Sequence, residues 1–191
     1  MGAAPEGLDR VTLAPRTTTA RRFVRLGAGA AAVAIAAQFA VPVPFSPVPM
    51  TLQPLAVLAV GGVLGATDGL LALVAYLATG ALGLPVFAGG SGGAIHLIGP
   101  TGGYLLAFPV AAALVGWLVR PRAGVLRVLL ACALGMLVIH VGGVSQLALL
   151  GGDPALAFRV GFVPFLTGDL LKVGLAAAAI LGLRPPVRPA N

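Results

Sequence analysis

The sequence predicts an all-α integral membrane protein with six transmembrane helices, both termini cytoplasmic, and irregular outer loops covering a binding cavity. Composition is the first support. Of 191 residues, 59% are hydrophobic and only 9% charged, and the mean hydropathy is +1.05. Soluble globular chains run near about 45–50% apolar and about 25% charged, and a domain of this length has no interior large enough for the excess. Apolar runs are the second support, recurring at about 23–41, 52–65, 68–84, 103–119, 124–150 and 164–183. About 20 residues of helix cross about 30 Å of hydrocarbon, and only helices or closed barrels satisfy their backbone groups there. Charge placement is the third. With the amino terminus cytoplasmic, Arg10, Arg16, Arg21, Arg22 and Arg25 lie inside, as do Arg120, Arg122, Arg127, Arg184 and Arg188. Only Arg159 then lies outside, and Lys172 lies within the membrane, as the positive-inside rule requires.

Along the chain, residues 1–20 are polar and read as a disordered cytoplasmic arm. Residues 21–184 form the membrane domain, and 185–191 a cytoplasmic tail. The stretch "ARRFVRLGAGAAAVAIAAQFA" pairs arginines with an apolar core as an export signal does. Its length and the runs that follow make it the first transmembrane helix. Within it Ala28, Ala32, Ala36 and Ala40 recur every fourth residue, with Ala30 and Ala34 in a neighbouring row. Small residues at that spacing let a second backbone approach closely.

Two outer connections are more than linkers. "VPVPFSPVPM" holds four prolines in ten residues and is forced into extended backbone. "GLPVFAGGSGGAIHLIGPTGGY" is apolar yet rich in glycine, a composition suited to lining a cavity and to close approach by a ligand. No phosphate-loop lysine follows these glycines, which argues against a nucleotide site. The net charge of +7 comes from arginines at the ends of apolar runs rather than from a soluble basic patch, which argues against nucleic-acid binding.

The last run contains "PFLTGDLLKVG", with Pro164 suited to opening the sixth helix. At about 1.5 Å per residue, Asp169 and Lys172 fall about 8 Å and about 12 Å from its outer end. Their i, i+3 spacing puts them on one face, which Phe165 and Phe162 continue outward. An intramembrane charge costs about 2.5–3.5 kcal/mol and marks a functional site. A pair serving stability alone is replaceable by apolar packing. The ligand such a site suits is small and largely apolar, with a few polar atoms and an anionic end. Metal and catalytic sites are not expected. His96 and His140 are far apart in sequence, Cys132 is a lone cysteine in an apolar run, and Ser91 and Ser145 have no evident triad. His96 reads as a loop residue and His140 as a satisfied, helix-buried histidine.

Taken in order, "PVPMTLQPLAV", "GLPVFAGGSGG", "GPTGGYLLAF" and "PFLTGDLLK" resemble the BioY family over about residues 23–183. These are the biotin-specific substrate-binding (S) components of energy-coupling factor (ECF) transporters. The resemblance implies a multi-pass protein of the cell membrane that captures biotin from outside, is not an enzyme and needs no cofactor. Its implied partners are biotin, a transmembrane coupling protein and two ABC-type ATPases, and the chain's lack of a G-x-x-x-x-G-K-[ST] motif agrees with ATP hydrolysis by a partner. A stand-alone or proton-coupled secondary biotin transporter is the alternative. Under the resemblance Asp169 accepts from the ureido N–H groups, and Lys172 donates to the ureido carbonyl or the valerate carboxylate. Tyr104 and Ser91 hydrogen-bond the ligand, Phe87 stacks on it, and Gly92, Gly93, Gly102 and Gly103 bring backbone N–H groups to it. Gln53 and Gln146 are further polar candidates. The alanine row of Ala28, Ala32, Ala36 and Ala40 is similar to the docking motif of S components.

The topology is testable by impermeant labelling of single cysteines in a Cys132→Ala background. Cysteines replacing Phe45, Ser91 and Asp153 are expected to label from outside, and those replacing Arg16, Arg122 and Arg188 only after permeabilisation. Labelling of Arg122→Cys in intact cells overturns this arrangement.

Overall fold

The computed structural model describes residues 16–119 and 123–183. Most of the expected arm, the carboxy-terminal tail and the Arg120–Arg122 link lie outside the described residues. Among the described residues the chain is helical, with one two-stranded ribbon. Helices α1 (Arg16–Gln38), α2 (Gln53–Leu64), α3 (Ala66–Ala81), α5 (Gly102–Leu118), α6 (Val125–Gly151) and α8 (Leu166–Leu183) fill the six apolar runs. Two short helices, α4 (Ile95–Ile98) and α7 (Pro154–Gly161), lie in the connections, with 3₁₀ turns at Ala88–Gly90 and Val163–Phe165. The proline-rich stretch folds back as β1 (Ala40–Val41) against antiparallel β2 (Met50–Thr51).

Three boundaries differ from the sequence expectation. Helix α1 begins at Arg16, inside the segment read as disordered, since no glycine or proline interrupts Arg16–Leu26. It ends at Gln38, so Ala40 lies in β1 rather than on the helical alanine row. Pro42 and Pro44 just beyond exclude helical continuation. Pro164 sits in the 3₁₀ turn ahead of α8 rather than at its first residue.

Helix length is uneven. Val125–Gly151 and the continuous stretch Pro154–Leu183 are long and apolar enough to cross a bilayer unaided. Helix α2 has only 12 residues, α3 has 16 and α5 has 17. The outer part of α2 is replaced by extended chain at Thr51, and irregular backbone of this kind persists at depth when it lines a cavity. A single residue, Gly65, joins α2 to α3, at φ 86° where a side chain is disfavoured.

Each long helix shows one buried and one exposed apolar face. On α6 the buried set is Val128, Ala131, Cys132, Gly135, Met136, Ile139, His140, Gly143 and Leu147, a repeat at helical spacing. Its opposite face exposes Leu126, Leu130, Leu134, Leu137 and Val141. Helix α8 likewise buries Asp169, Lys172, Ala176, Ala177 and Ile180 and exposes Leu170, Leu171 and Leu175. Apolar outer faces of this extent call for lipid.

Helices α2 and α5 are the centre of the bundle. Helix α5 packs on α6, α3 and α2, and α2 also meets α8 and α1. Glycine permits this closeness. A Cβ at Gly61 would strike the Ala112 carbonyl and come within 2.7 Å of Ala112 Cα, and one at Gly62 would strike the Ile180 side chain. At the opposite end from the β-ribbon, Arg22 Nε reaches Asp68 Oδ1 at 2.8 Å, with Arg25 Nη1 3.8 Å from Oδ2. This ties α1 to α3, and Asp68 also sits in the first turn of α3, where a helix favours an anion.

Gly61→Ala drives a methyl group into backbone that has nowhere to move. It is expected to destabilise the bundle by about 1–3 kcal/mol, read as a lower unfolding midpoint in detergent. Gly27→Ala on α1, where nothing lies within 4 Å, is the control and is expected to leave the midpoint unchanged or raise it. Equal midpoints for the two variants overturn the close-packing account.

Candidate binding site

A cavity of about 260 Å³ lies beneath the β-ribbon and the glycine-rich loop, just below the range of about 300–1,000 Å³ of most ligand pockets. The ribbon and the start of α2 contribute Val48, Pro49, Thr51, Gln53 and Pro54. Phe87, Ala88, Ser91, His96 and Thr101 come from the loop, and Tyr104, Leu105 and Phe108 from α5. Ile139 and His140 from α6, Phe165 from the 3₁₀ turn, and Asp169 and Lys172 from the start of α8 complete the wall. Most of this lining is apolar, and one ionic cluster interrupts it.

That cluster is built on α8 and α6. Asp169 and Lys172, three residues apart, meet at 3.0 Å between Nζ and Oδ1. The second carboxylate oxygen, Oδ2, lies 2.6 Å from His140 Nε2. All three residues are buried, at 6% exposure or less. An ionised carboxylate only accepts, so the proton of the His140 contact sits on Nε2. Both Asp169 oxygens therefore hold an intramolecular donor. Among the described residues, His140 Nδ1 has no hydrogen-bond partner. The imidazole is packed edge-on against Phe162 at 4.8 Å and Tyr104 at 6.0 Å between centroids, with Phe165 at 6.2 Å.

Aromatic walls are held by glycine ledges and backbone carbonyls. The Tyr104 ring occupies the space a Cβ would need at Gly143, and its hydroxyl donates to the Gly161 carbonyl at 2.6 Å. Phe87 sits over Gly80 in the same way, edge-on to Tyr76 at 5.6 Å and to His96 at 5.9 Å. A relay fixes the outer rim. Thr51 Oγ1 donates to Gln53 Oε1 at 3.0 Å, Gln53 Nε2 to Tyr76 Oη at 2.7 Å, and Tyr76 Oη to the Val86 carbonyl at 3.0 Å. Ser91 Oγ donates to the Ala88 carbonyl at 2.8 Å.

Of the residues singled out in the sequence, Asp169, Lys172, Tyr104, Ser91, Phe87 and Gln53 converge on the cavity. Gly92, Gly93, Gly102 and Gly103 do not line it. The Gly93 N–H donates to the Gly80 carbonyl at 2.7 Å and that of Gly102 to Gly99 at 3.0 Å. A Cβ at Gly92 would strike the Leu84 carbonyl, and one at Gly103 that of Gly142. Gly93 and Gly102 thus hold backbone partners within the chain, and Gly92 and Gly103 lie tight against neighbouring backbone. Gln146 turns to the loop as well, donating from Nε2 to the Gly99 and Leu97 carbonyls at 2.6 and 3.2 Å. His96 lies in the loop between α3 and α5 as expected, within its short helix α4. His140 is helix-buried as expected but only half satisfied. Sequence reasoning missed it as a partner of Asp169, although the cost of a polar group in an apolar helix, which exposed Asp169, applied to it equally.

On the alanine row, Ala28 and Ala32 are exposed while Ala36 is partly buried against the core. Ala30 and Ala34 pack inward as well.

The profile of the BioY family matches residues 10–188. "Biotin transporter BioY" of Thermotoga maritima is 39% identical over 164 residues, covering 86% of this chain and 95% of that protein. "Probable biotin transporter BioY" of Pyrococcus horikoshii is 42% identical over 146 residues, covering 76% and 85%. Among solved structures, the crystal structure of the S-component for biotin from an ECF-type ABC transporter superposes with a TM-score of 0.83 at 26% identity, covering 90% of this chain and 94% of that one. With the profile spanning nearly its whole length and full-length relatives at this identity, the chain belongs to the BioY family.

Proposed function

We propose that this chain is the biotin-binding subunit of an ATP-driven ECF transporter, taking biotin from outside the cell membrane. The observation that carries the reading is the buried Asp169–Lys172 pair, set in the wall of a small cavity whose surface is mainly apolar. Biotin has matching chemistry: an apolar bicycle, a ureido group with two N–H donors and one carbonyl, and an acid at the end of a flexible chain. Asp169 retains lone pairs beyond its two internal contacts, because an ionised carboxylate offers about four acceptor sites. A ureido N–H arriving there forms a charge-assisted bond in low dielectric. Lys172 is held against the same carboxylate and so serves the same end of the ligand, donating to the ureido carbonyl. The acid end is left to the outer rim, where Ser91, His96 and Thr101 supply polar groups.

In this reading six helices cross the membrane, both ends face the cytoplasm, and a coupling protein with two ATPases supplies energy. The exposed Ala28 and Ala32 on α1 are the small-residue face on which that partner packs. Purified chain should bind biotin, and uptake should require the ATPase module. Uptake by vesicles carrying only this chain and an ion gradient would favour the secondary-transporter alternative.

Asp169→Asn puts an amide where the acceptor stood and is expected to cost about 2–3 kcal/mol of binding, roughly a 30- to 150-fold loss of affinity. Lys172→Gln is expected to weaken biotin and biotin amide alike, so that discrimination between them persists; reduced discrimination would move Lys172 to the acid end. Wild-type affinity in both variants makes the pair purely structural. For docking, Ala32→Leu is expected to leave biotin binding intact while lowering co-purification with the coupling protein. Ala36→Leu, packed partly into the bundle, is expected to lower stability instead. Wild-type recovery of the module by Ala32→Leu refutes the docking face.

A further inference from the structure

We propose that His140 is a positioning residue of the binding site, orienting Asp169 for the ligand through its Nε2–H. The proposal rests on the biotin-binding reading and adds a residue to its machinery. His140 stands on α6, twenty-nine residues from Asp169 in sequence, and its Nε2 lies 2.6 Å from Oδ2. Lys172 holds the other oxygen at 3.0 Å from one turn along the same helix. The carboxylate is thus fixed at both oxygens, one from its own helix and one from its neighbour. A carboxylate held only by Lys172 is free to turn about its last torsion, a broad and soft coordinate. With both oxygens held, its plane is set, and the lone pairs left for the ligand point in fixed directions. Preorganisation of this kind raises affinity by removing an ordering cost from the binding step.

The surroundings of His140 support this assignment. Phe162, Phe165 and Tyr104 pack around the ring, and among the described residues Nδ1 has no hydrogen-bond partner. A histidine kept only to satisfy the bundle would be expected to bond through both nitrogens. Here the one polar contact found for the ring goes to the carboxylate that faces the cavity.

The test compares three substitutions by direct biotin binding to the full chain in detergent. His140→Gln carries an amide nitrogen at nearly the same reach as Nε2 and is expected to stay within about threefold of wild type. His140→Asn is one carbon too short to reach Oδ2 and, like His140→Leu, is expected to lose about tenfold or more, as for a hydrogen bond to a charged group. In an Asp169→Asn background, His140→Asn is expected to add little, because the group it positions has already been lost. Should the leucine variant fail to fold, the glutamine and asparagine pair decides. Equal affinity in the Gln and Asn variants, whether high or low, overturns the proposal, as does full additivity with Asp169→Asn. Absence of biotin binding by the wild-type chain overturns the functional reading itself, which is a separate outcome.

Discussion

An ionised carboxylate inside an apolar bundle must be surrounded by donors, and much of the site follows from meeting that demand at Asp169. Placing Lys172 one turn along α8 supplies one donor at the cost of only local geometry. The second donor, His140, has to come from another helix, which fixes the rotation of α6 relative to α8. That rotation in turn brings Ile139 to the cavity and Gly143 under Tyr104. Burial of charges as a paired cluster avoids most of the desolvation cost of an isolated ion, and removing one member leaves the rest exposed to it.

Glycine does the complementary work. Where helices must approach closely, at Gly61 against Ala112 and at Gly103 against Gly142, a missing side chain lets backbone meet backbone, and dispersion acts over short distances. Where an aromatic ring must lie flat against a helix, at Gly80 under Phe87 and Gly143 under Tyr104, the same absence makes a seat. A chain with 28 glycines is therefore densely packed, although the same composition in water would suggest loose loops.

Much of this was legible in the sequence because it depends on local periodicity. The apolar runs marked the helices, the prolines marked the extended ribbon, and the i, i+3 spacing joined Asp169 to Lys172 without any knowledge of the fold. What was not legible depends on how helices rotate against one another. His140 meets Asp169 only because α6 and α8 share a register that no spacing reveals. The glycines of the long loop were read as open backbone, whereas Gly93 and Gly102 have already spent their N–H groups on other carbonyls. Ala40 matched the four-residue alanine period, yet Pro42 ended the helix before the period reached it.

The Tyr76 hydroxyl joins two coverings of the cavity. It accepts from Gln53, which is bonded in turn to Thr51 at the end of the ribbon, and donates to Val86 at the start of the glycine-rich loop. The Tyr76 oxygen is thus an anchor that ribbon and loop share, beside the loop's own ties from Gly93 to the Gly80 carbonyl and from Gln146 to the Gly99 and Leu97 carbonyls. Two coverings joined in this way are not independent flaps: lifting either one strains a hydrogen bond at the atom that also secures the other.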